Sequence, residues 1–329
     1  MDVVTYPFDS FLDDRGVVIL DGALATELER RGADIDDPLW SAKVLIDAPE
    51  MIEELHLDYF RAGADVATTA SYQASFEGFA ERGLTREEAA RLMERSVSLA
   101  QRARTRFVEE RGNTESRPLP LVAASAGCYG AILHDGSEYR GDYDLSPRQL
   151  TEFHRRRLEV LVAGEPDVIA FETVPCAREA EAIARVVEEF PEVPAWVGFS
   201  CRNQREVSHG ESLAECISIV ADGDSIVAAG INCTPPQYVS GLVEEVAGTS
   251  DLLLLAYPNS GEMWDASRGS WMEGESGPGL VEIAREWYEL GARLIGGCCR
   301  TGPSAIAALA DILSGMDGRT IARGGAENR

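Results

Sequence analysis

Cys298 and Cys299 stand side by side at the end of a short apolar run, residues 292–297, and Cys233 ends a similar run, Ile226 to Asn232. Three sulfurs with one position left open are what a catalytic zinc site needs to hold and ionise an incoming thiol. A single free cysteine reads more simply as a small buried hydrophobe. Three at the ends of apolar runs, two of them adjacent, favour metal. Adjacent residues of a regular strand face opposite sides. For both Cys298 and Cys299 to reach one ion, the chain must already be turning, and Gly296 and Gly297 are read as supplying that freedom. A redox-active vicinal pair is the rival reading; it explains the glycines but leaves Cys233 idle. Cys128, Cys176, Cys201 and Cys216 show no such arrangement and read as packing or surface residues. No CxxC pair occurs, which removes the zinc-ribbon and thioredoxin readings.

Short apolar runs alternate with amphipathic stretches along the whole chain. The expected strands are Val17–Leu20, Asp65–Ala70, Leu119–Ala124, Asp167–Phe171, Ala195–Ser200, Ile226–Asn232, Leu252–Ala256 and Ala292–Gly296. Helical spacing of apolar residues marks Pro49–Ala62, Arg86–Val108, Pro147–Ala163, Ala177–Phe190, Ser212–Ala221, Pro236–Ala247, Leu280–Leu290 and Pro303–Leu313. Ser146-Pro147 and Thr301-Gly302-Pro303 place a polar cap and a proline at helix openings. Gly63, Gly164 and Gly291 read as closing glycines. Eight strand–helix units predict a single-domain α/β protein, a (β/α)8 barrel, with its active site at the C-terminal ends of the strands. Residues 1–316 form that domain and 317–329 read as a flexible tail. The long Gly- and Ser-rich stretch from Tyr257 to Gly279 carries Trp264 and Trp271, and a loop of that length on that face is usually functional.

On this scheme the polar residues gather at one end. Asp21 follows the first strand, Thr69 ends the second, Glu172 follows the fourth, Cys233 the sixth, and Cys298 and Cys299 the eighth. The sixth and eighth strands share a layer of inward side chains, so their cysteines converge. From position alone, Glu172 either caps the next helix or faces a ligand, and Asp21 reads as an Asx-turn. His56, His134, His154 and His209 read as solvent-facing or hydrogen-bonded residues. No Ser/His/Asp triad, P-loop or GxGxxG is present.

Composition sets the frame. The formal net charge is −26, from 56 acidic and 30 basic residues, and disfavours nucleic acid as a partner. Lys43 is the single lysine. An acidic, lysine-poor surface suits high salt, although a bias toward arginine codons produces the same pattern. Residues 1–16 carry four aspartates and no apolar segment of the signal-peptide kind, and no apolar run reaches the ~20 residues of a membrane span. Seven irregularly spaced cysteines do not form a secreted disulfide framework, so a reducing cytoplasm is the expected setting.

The chain resembles the homocysteine S-methyltransferase family. The matching segments are Asp21-Gly22-Ala23-Leu24-Ala25-Thr26-Glu27-Leu28, Leu39-Trp40-Ser41-Ala42-Lys43, and His56-Leu57-Asp58-Tyr59-Phe60-Arg61-Ala62-Gly63-Ala64. They continue through Thr68-Thr69-Ala70-Ser71-Tyr72-Gln73, Glu172-Thr173-Val174-Pro175, Gly230-Ile231-Asn232-Cys233-Thr234-Pro235-Pro236 and Gly296-Gly297-Cys298-Cys299-Arg300-Thr301-Gly302. The resemblance implies a zinc barrel in which Cys233, Cys298 and Cys299 match the metal ligands. Asp21 and Glu172 match the contacts to the homocysteine amine, and Thr69 lies in the same pocket. The nearest branch resembles bacterial and plant enzymes that use S-methylmethionine or S-adenosylmethionine. Betaine-using relatives carry a Tyr after the matching Glu. Thr173 stands here, which argues against betaine and removes one candidate fourth ligand.

The implied reaction moves a methyl group from a sulfonium donor to homocysteine, giving methionine. A sulfonium is held by aromatic faces, for which Tyr129, Trp264 and Trp271 are the candidates. The rival readings are a barrel redox or lyase enzyme using the vicinal thiols, and a non-enzymatic zinc-binding protein with a closed site.

Overall fold

The computed structural model describes residues 7–35, 37, 39–112, 117–261, 263–265, 270–272 and 279–314. The expected tail, 317–329, lies outside them. Eight strands form one parallel sheet: β1 (Val18–Ile19), β2 (Val66–Thr68), β3 (Leu121–Gly127), β4 (Val168–Val174), β5 (Ala195–Phe199), β6 (Ile226–Asn232), β7 (Leu253–Tyr257) and, after a hairpin of β8 (Met263–Asp265) and β9 (Ser270–Met272), β10 (Ala292–Ile295). The sheet order is β1-β10-β7-β6-β5-β4-β3-β2. A parallel bridge from Leu20 to Val66 joins the two end strands and closes the (β/α)8 barrel. Asp65 reinforces that seam: its N–H donates to Ile19 O at 2.7 Å and its carboxylate accepts the Ile19 N–H at 2.8 Å.

The strands are buried on both faces, as parallel strands under a helical layer must be. The inner face holds Val18, Leu20, Val66, Val168, Ala170, Trp196, Ala228, Leu255, Tyr257 and Leu294. Phe8 and Phe11 join this cluster from α1 (Asp9–Arg15), a helix outside the sequence expectation. Their neighbours there include Leu121, Val168 and Leu253, at the N-terminal ends of their strands, so α1 plugs the end of the barrel opposite the cysteines.

Three more short helices go beyond the expected set: α2 (Ala25–Arg30), α3 (Ser41–Asp47) and α5 (Phe76–Glu81). The outer layer is completed by α4 (Pro49–Arg61), α6 (Arg86–Arg111), α7 (Pro147–Ala163), α8 (Ala177–Val187), α9 (Leu213–Val220), α10 (Pro236–Val246), α11 (Leu280–Glu289) and α12 (Pro303–Ser314). Thr85 with Glu88 and Ser146 with Gln149 form reciprocal capping boxes that start α6 and α7. Gly63 and Gly291 take positive φ as closing residues, but Gly164 does not; Glu165, at φ 55°, makes that left-handed step instead. Thr301 does not cap α12, because its hydroxyl turns back to the Cys298 carbonyl. Among the described residues no helix is long and apolar enough to cross a membrane.

Candidate active site

The sequence puts six polar residues at the ends of five strands, and the barrel brings them to one mouth. Asp21 leaves β1 and reaches across to β2. Its carboxylate accepts the Thr68 N–H at 2.7 Å and the Thr68 hydroxyl at 2.8 Å, a cross-strand clasp rather than the expected Asx-turn. Only 4% of Asp21 is exposed. Burial pushes its carboxyl up to about 8, against the two Thr68 hydrogen bonds, and the charge of Glu172 adds to the rise.

Glu172 lies inside β4, which runs three residues beyond its expected end. It does not cap a helix, since α8 opens at Ala177 after Cys176. Its carboxylate accepts the hydroxyl of Ser125 on β3 and is bonded by the Tyr257 hydroxyl at the end of β7. Trp196 Nε1–H donates to Tyr257 Oη at 3.1 Å, which leaves the Tyr257 proton free for Glu172. Burial pushes Glu172 up to about 7; the Ser125 bond opposes this and the nearby Cys233 charge adds to it. Thr69, just after β2, staples two strands. Its hydroxyl accepts the Ser125 N–H at 3.0 Å and sits 2.7 Å from Ser71 Oγ, whose own proton goes to Ser125 O.

The cysteines are placed by two turns that share one support. Cys233 follows β6 at φ 45°, a left-handed conformation that costs a side-chain-bearing residue energy and that surrounding contacts must hold. Its N–H donates to Tyr257 O at 3.1 Å. Cys298 N–H donates to Pro258 O at 2.7 Å, and Ser260 N–H donates to Cys299 O at 3.1 Å. The segment after β7 therefore clamps both turns. Gly296 and Gly297 act differently from expectation: neither has positive φ. They permit close approach instead. A Cβ on Gly296 would lie 2.5 Å from Leu20 Cβ, and one on Gly297 would lie 2.1 Å from Thr301 Oγ1. The left-handed residue of that turn is Arg300, at φ 63°.

These turns bring the three sulfurs within 4.8 Å of one another. Cys233 Sγ is 3.7 Å from Cys299 Sγ, and Cys298 Sγ is 4.0 Å from Cys299 Sγ. A tetrahedral ion with metal–sulfur bonds of about 2.3 Å has sulfur–sulfur edges of about 3.8 Å. The cluster thus has the ligand set and the spacing for a soft metal ion. Hydrogen bonds from Cys298 and Cys299 hold Cys233 well below the usual thiol range, and the same contacts push Cys298 and Cys299 up. Cys233 is not idle, as a vicinal redox pair would leave it.

Sequence reasoning passed over Ser125, Tyr257, Asn232 and Tyr139. Asn232 is fully buried and makes a reciprocal pair with Thr173: it accepts the Thr173 N–H at 2.8 Å and donates to Thr173 Oγ1 at 3.2 Å. Thr173 itself sits at φ 60°. This pair ties the strand that carries Glu172 to the strand that delivers Cys233. A lone polar residue in an apolar strand was the available signal for Ser125 and Asn232. Tyr139, whose hydroxyl lies 3.1 Å from Cys233 Sγ, left none. Tyr129 packs edge-on against Tyr143 and Phe153. Trp264 and Trp271 are cross-strand partners in the β8–β9 hairpin, with side chains outside the described residues. Cys128, Cys176, Cys201 and Cys216 are buried, free thiols, as expected of packing residues.

Comparison with known proteins agrees with this geometry. Residues 18–313 match the family model described as homocysteine S-methyltransferase. The chain belongs to the homocysteine S-methyltransferase family. Among its family relatives, homocysteine S-methyltransferase YbgG of Bacillus subtilis is 49% identical over 92% of this chain and 96% of the relative. Homocysteine S-methyltransferase 2 of Arabidopsis thaliana is 46% identical over 89% of this chain and 92% of the relative. The homocysteine methyltransferase MmuM of Escherichia coli, in a crystal structure of its metallated form, superposes with a TM-score of 0.83 at 42% identity, covering 93% of this chain and 99% of that one.

Proposed function

We propose that this member of the homocysteine S-methyltransferase family transfers a methyl group from a sulfonium, S-methylmethionine or S-adenosylmethionine, to the thiol of homocysteine, giving methionine, with zinc as its metal. The observation that carries this reading is the convergence of three thiols on one mouth with two carboxylates, Asp21 buried and Glu172 half-buried. Cys233, Cys298 and Cys299 would hold the zinc. When bound, the ion supplies the Lewis acidity that keeps a thiol ionised at neutral pH, where a free thiol is mostly protonated.

Asp21 and Glu172 receive the homocysteine ammonium. Thr68 fixes the first carboxylate; Ser125 and Tyr257 fix the second. Both carboxyls are hard to ionise alone, and an arriving cation is what makes their charges favourable together. Thr69 keeps β2 and β3 in register behind the substrate. In the transfer, the homocysteine sulfur forms a bond to the methyl carbon as the donor's sulfur–carbon bond breaks, and the donor leaves as a neutral thioether. No proton moves in that step, so no general base is needed. Thr173 in place of a tyrosine supports a sulfonium over betaine. The functional unit is residues 1–316, and the cytoplasm is its compartment.

The test supplies purified protein with zinc, homocysteine and S-methylmethionine, S-adenosylmethionine or betaine, and measures methionine. The sulfonium donors are expected to exceed betaine by a wide margin. A betaine rate equal to theirs, or no methionine from any donor, overturns the reading.

A further inference from the structure

Between β3 and α7 the chain makes two single-turn helices, Tyr129–Ile132 and Ser137–Tyr139, and the second sets Glu138 beside the thiol cluster. Its main chain is fixed. Glu138 O accepts the Ser200 hydroxyl at 2.9 Å, and Ser200 Oγ in turn accepts the Ser208 hydroxyl at 2.9 Å. The two turns press so closely that a Cβ on Gly130 would lie 2.5 Å from Glu138 N. Glu179 anchors the start of the segment by accepting the Tyr129 N–H at 2.7 Å.

One oxygen of the Glu138 carboxylate lacks a partner: Oε2 is sealed from solvent and has no hydrogen bond. Arg140, two residues on, pairs with Asp135 and Asp142, and its charge only partly offsets the cost of ionising Glu138. Burial pushes the Glu138 carboxyl up to about 7, against a bond from its own backbone, and the charge of Cys233 adds to the rise. The next residue, Tyr139, touches Cys233. Burial, and after it the charges of neighbouring groups that include Cys233 and Glu138, push the Tyr72 and Tyr139 hydroxyls well up, so both stay neutral. Nothing in the homocysteine contacts or the metal ligands uses this carboxylate. A half-buried carboxylate with a sealed, unbonded oxygen, one residue from the tyrosine that touches the ligand thiol Cys233, is a receptor for an organic cation.

We propose that Glu138 is the donor-binding residue of this enzyme, the counter-charge that receives the sulfonium centre. The assignment rests on the sulfonium reading above and adds to it the residue that selects for cationic donors. Its energetics are asymmetric. The sulfonium is fully charged when bound and becomes a neutral thioether as the methyl group leaves with its bond to the acceptor sulfur. Glu138 therefore favours the bound donor over the transition state, so it lowers KM without raising kcat.

The experiment compares wild type, Glu138→Gln and Glu138→Asp with S-methylmethionine as donor, and measures zinc content and homocysteine affinity alongside. Glu138→Gln is expected to raise the donor KM about ten- to a hundredfold, the range for one charged hydrogen bond. Its kcat should not fall and should rise in so far as the counter-charge holds the bound donor below the transition state, with zinc content and homocysteine affinity as in wild type. Glu138→Asp, which keeps the charge, should recover most of the donor affinity. An unchanged donor KM in Glu138→Gln, or equal losses in homocysteine affinity or zinc, overturns the assignment while leaving the reaction standing. A wild-type protein that methylates no homocysteine from any sulfonium overturns the reaction itself, and Glu138's role with it.

Discussion

Replacing Asp21 with Asn should stabilise the substrate-free protein and cripple it as a catalyst. The substitution removes a charge and keeps the shape. Asn Oδ1 still accepts the Thr68 N–H, and its amide donates to the Thr68 hydroxyl, so both contacts at 2.7 and 2.8 Å survive. The carboxyl of Asp21 is raised from 3.8 to about 8, chiefly by burial. A raised acid binds its proton more tightly folded than unfolded. Stability is therefore intact below the unfolded value near 3.8 and falls as pH climbs to about 8, where it levels off. Over that whole window the cost is about 6 kcal/mol at ~1.4 kcal/mol per pH unit, and between pH 5 and pH 9 it is about 4 kcal/mol. Asn carries none of it. Urea unfolding of homocysteine-free wild type and Asp21→Asn at stepped pH should show the variant gaining about 4 kcal/mol on wild type between pH 5 and pH 9. Its homocysteine KM should rise about ten- to a hundredfold, since the ammonium loses a charged partner. A stability difference that stays flat across this range refutes the reasoning, because it would mean that the carboxyl ionises as readily folded as unfolded.

Cys233→Ser should lose most bound zinc, because serine offers a harder, protonated oxygen where the other two ligands are thiols; metal analysis showing full occupancy would remove Cys233 from the site. Asn232→Ala should destabilise the fold by ~1–3 kcal/mol, since it leaves the buried Thr173 N–H without an acceptor, and should weaken homocysteine binding through Glu172. Unfolding free energy and homocysteine KM check this together, and a variant as stable as wild type would show that the Asn232–Thr173 pair does not hold the two strands.

The readings that succeeded rest on periodicity and on rare residue types. The strands were visible because parallel barrel strands are apolar on both faces and turn residues separate them. Their ends were less visible: β3 and β4 each run three residues past the expected stop, to Gly127 and Val174. The extra residues include Ser125, Glu172 and Thr173, whose polarity looks like a loop until a partner across the barrel satisfies it. Helix α1 was missed because its apolar residues, Phe8 and Phe11, are few and lie among aspartates. Only the open end of the barrel gives them something to bury against. The glycines before Cys298 were correctly seen as necessary but for the wrong reason. Close approach to Leu20 and Thr301 is a property of the folded neighbour, not of the local chain.

Three thiols, two carboxylates and the alternation that carries them to one face were written in the sequence by itself, because each is a matter of residue type and spacing. The tertiary structure decided what those groups are held by and what stands next to them. Cys233 takes a left-handed conformation held by Tyr257 O; Glu172 is oriented by Ser125 and Tyr257; Tyr139, next to Glu138, meets Cys233 from a turn 94 residues earlier. Such contacts join strands far apart in sequence, where no local pattern records them. Burial, which sets how hard Asp21, Glu172 and Glu138 are to ionise, exists only once the barrel has closed around them.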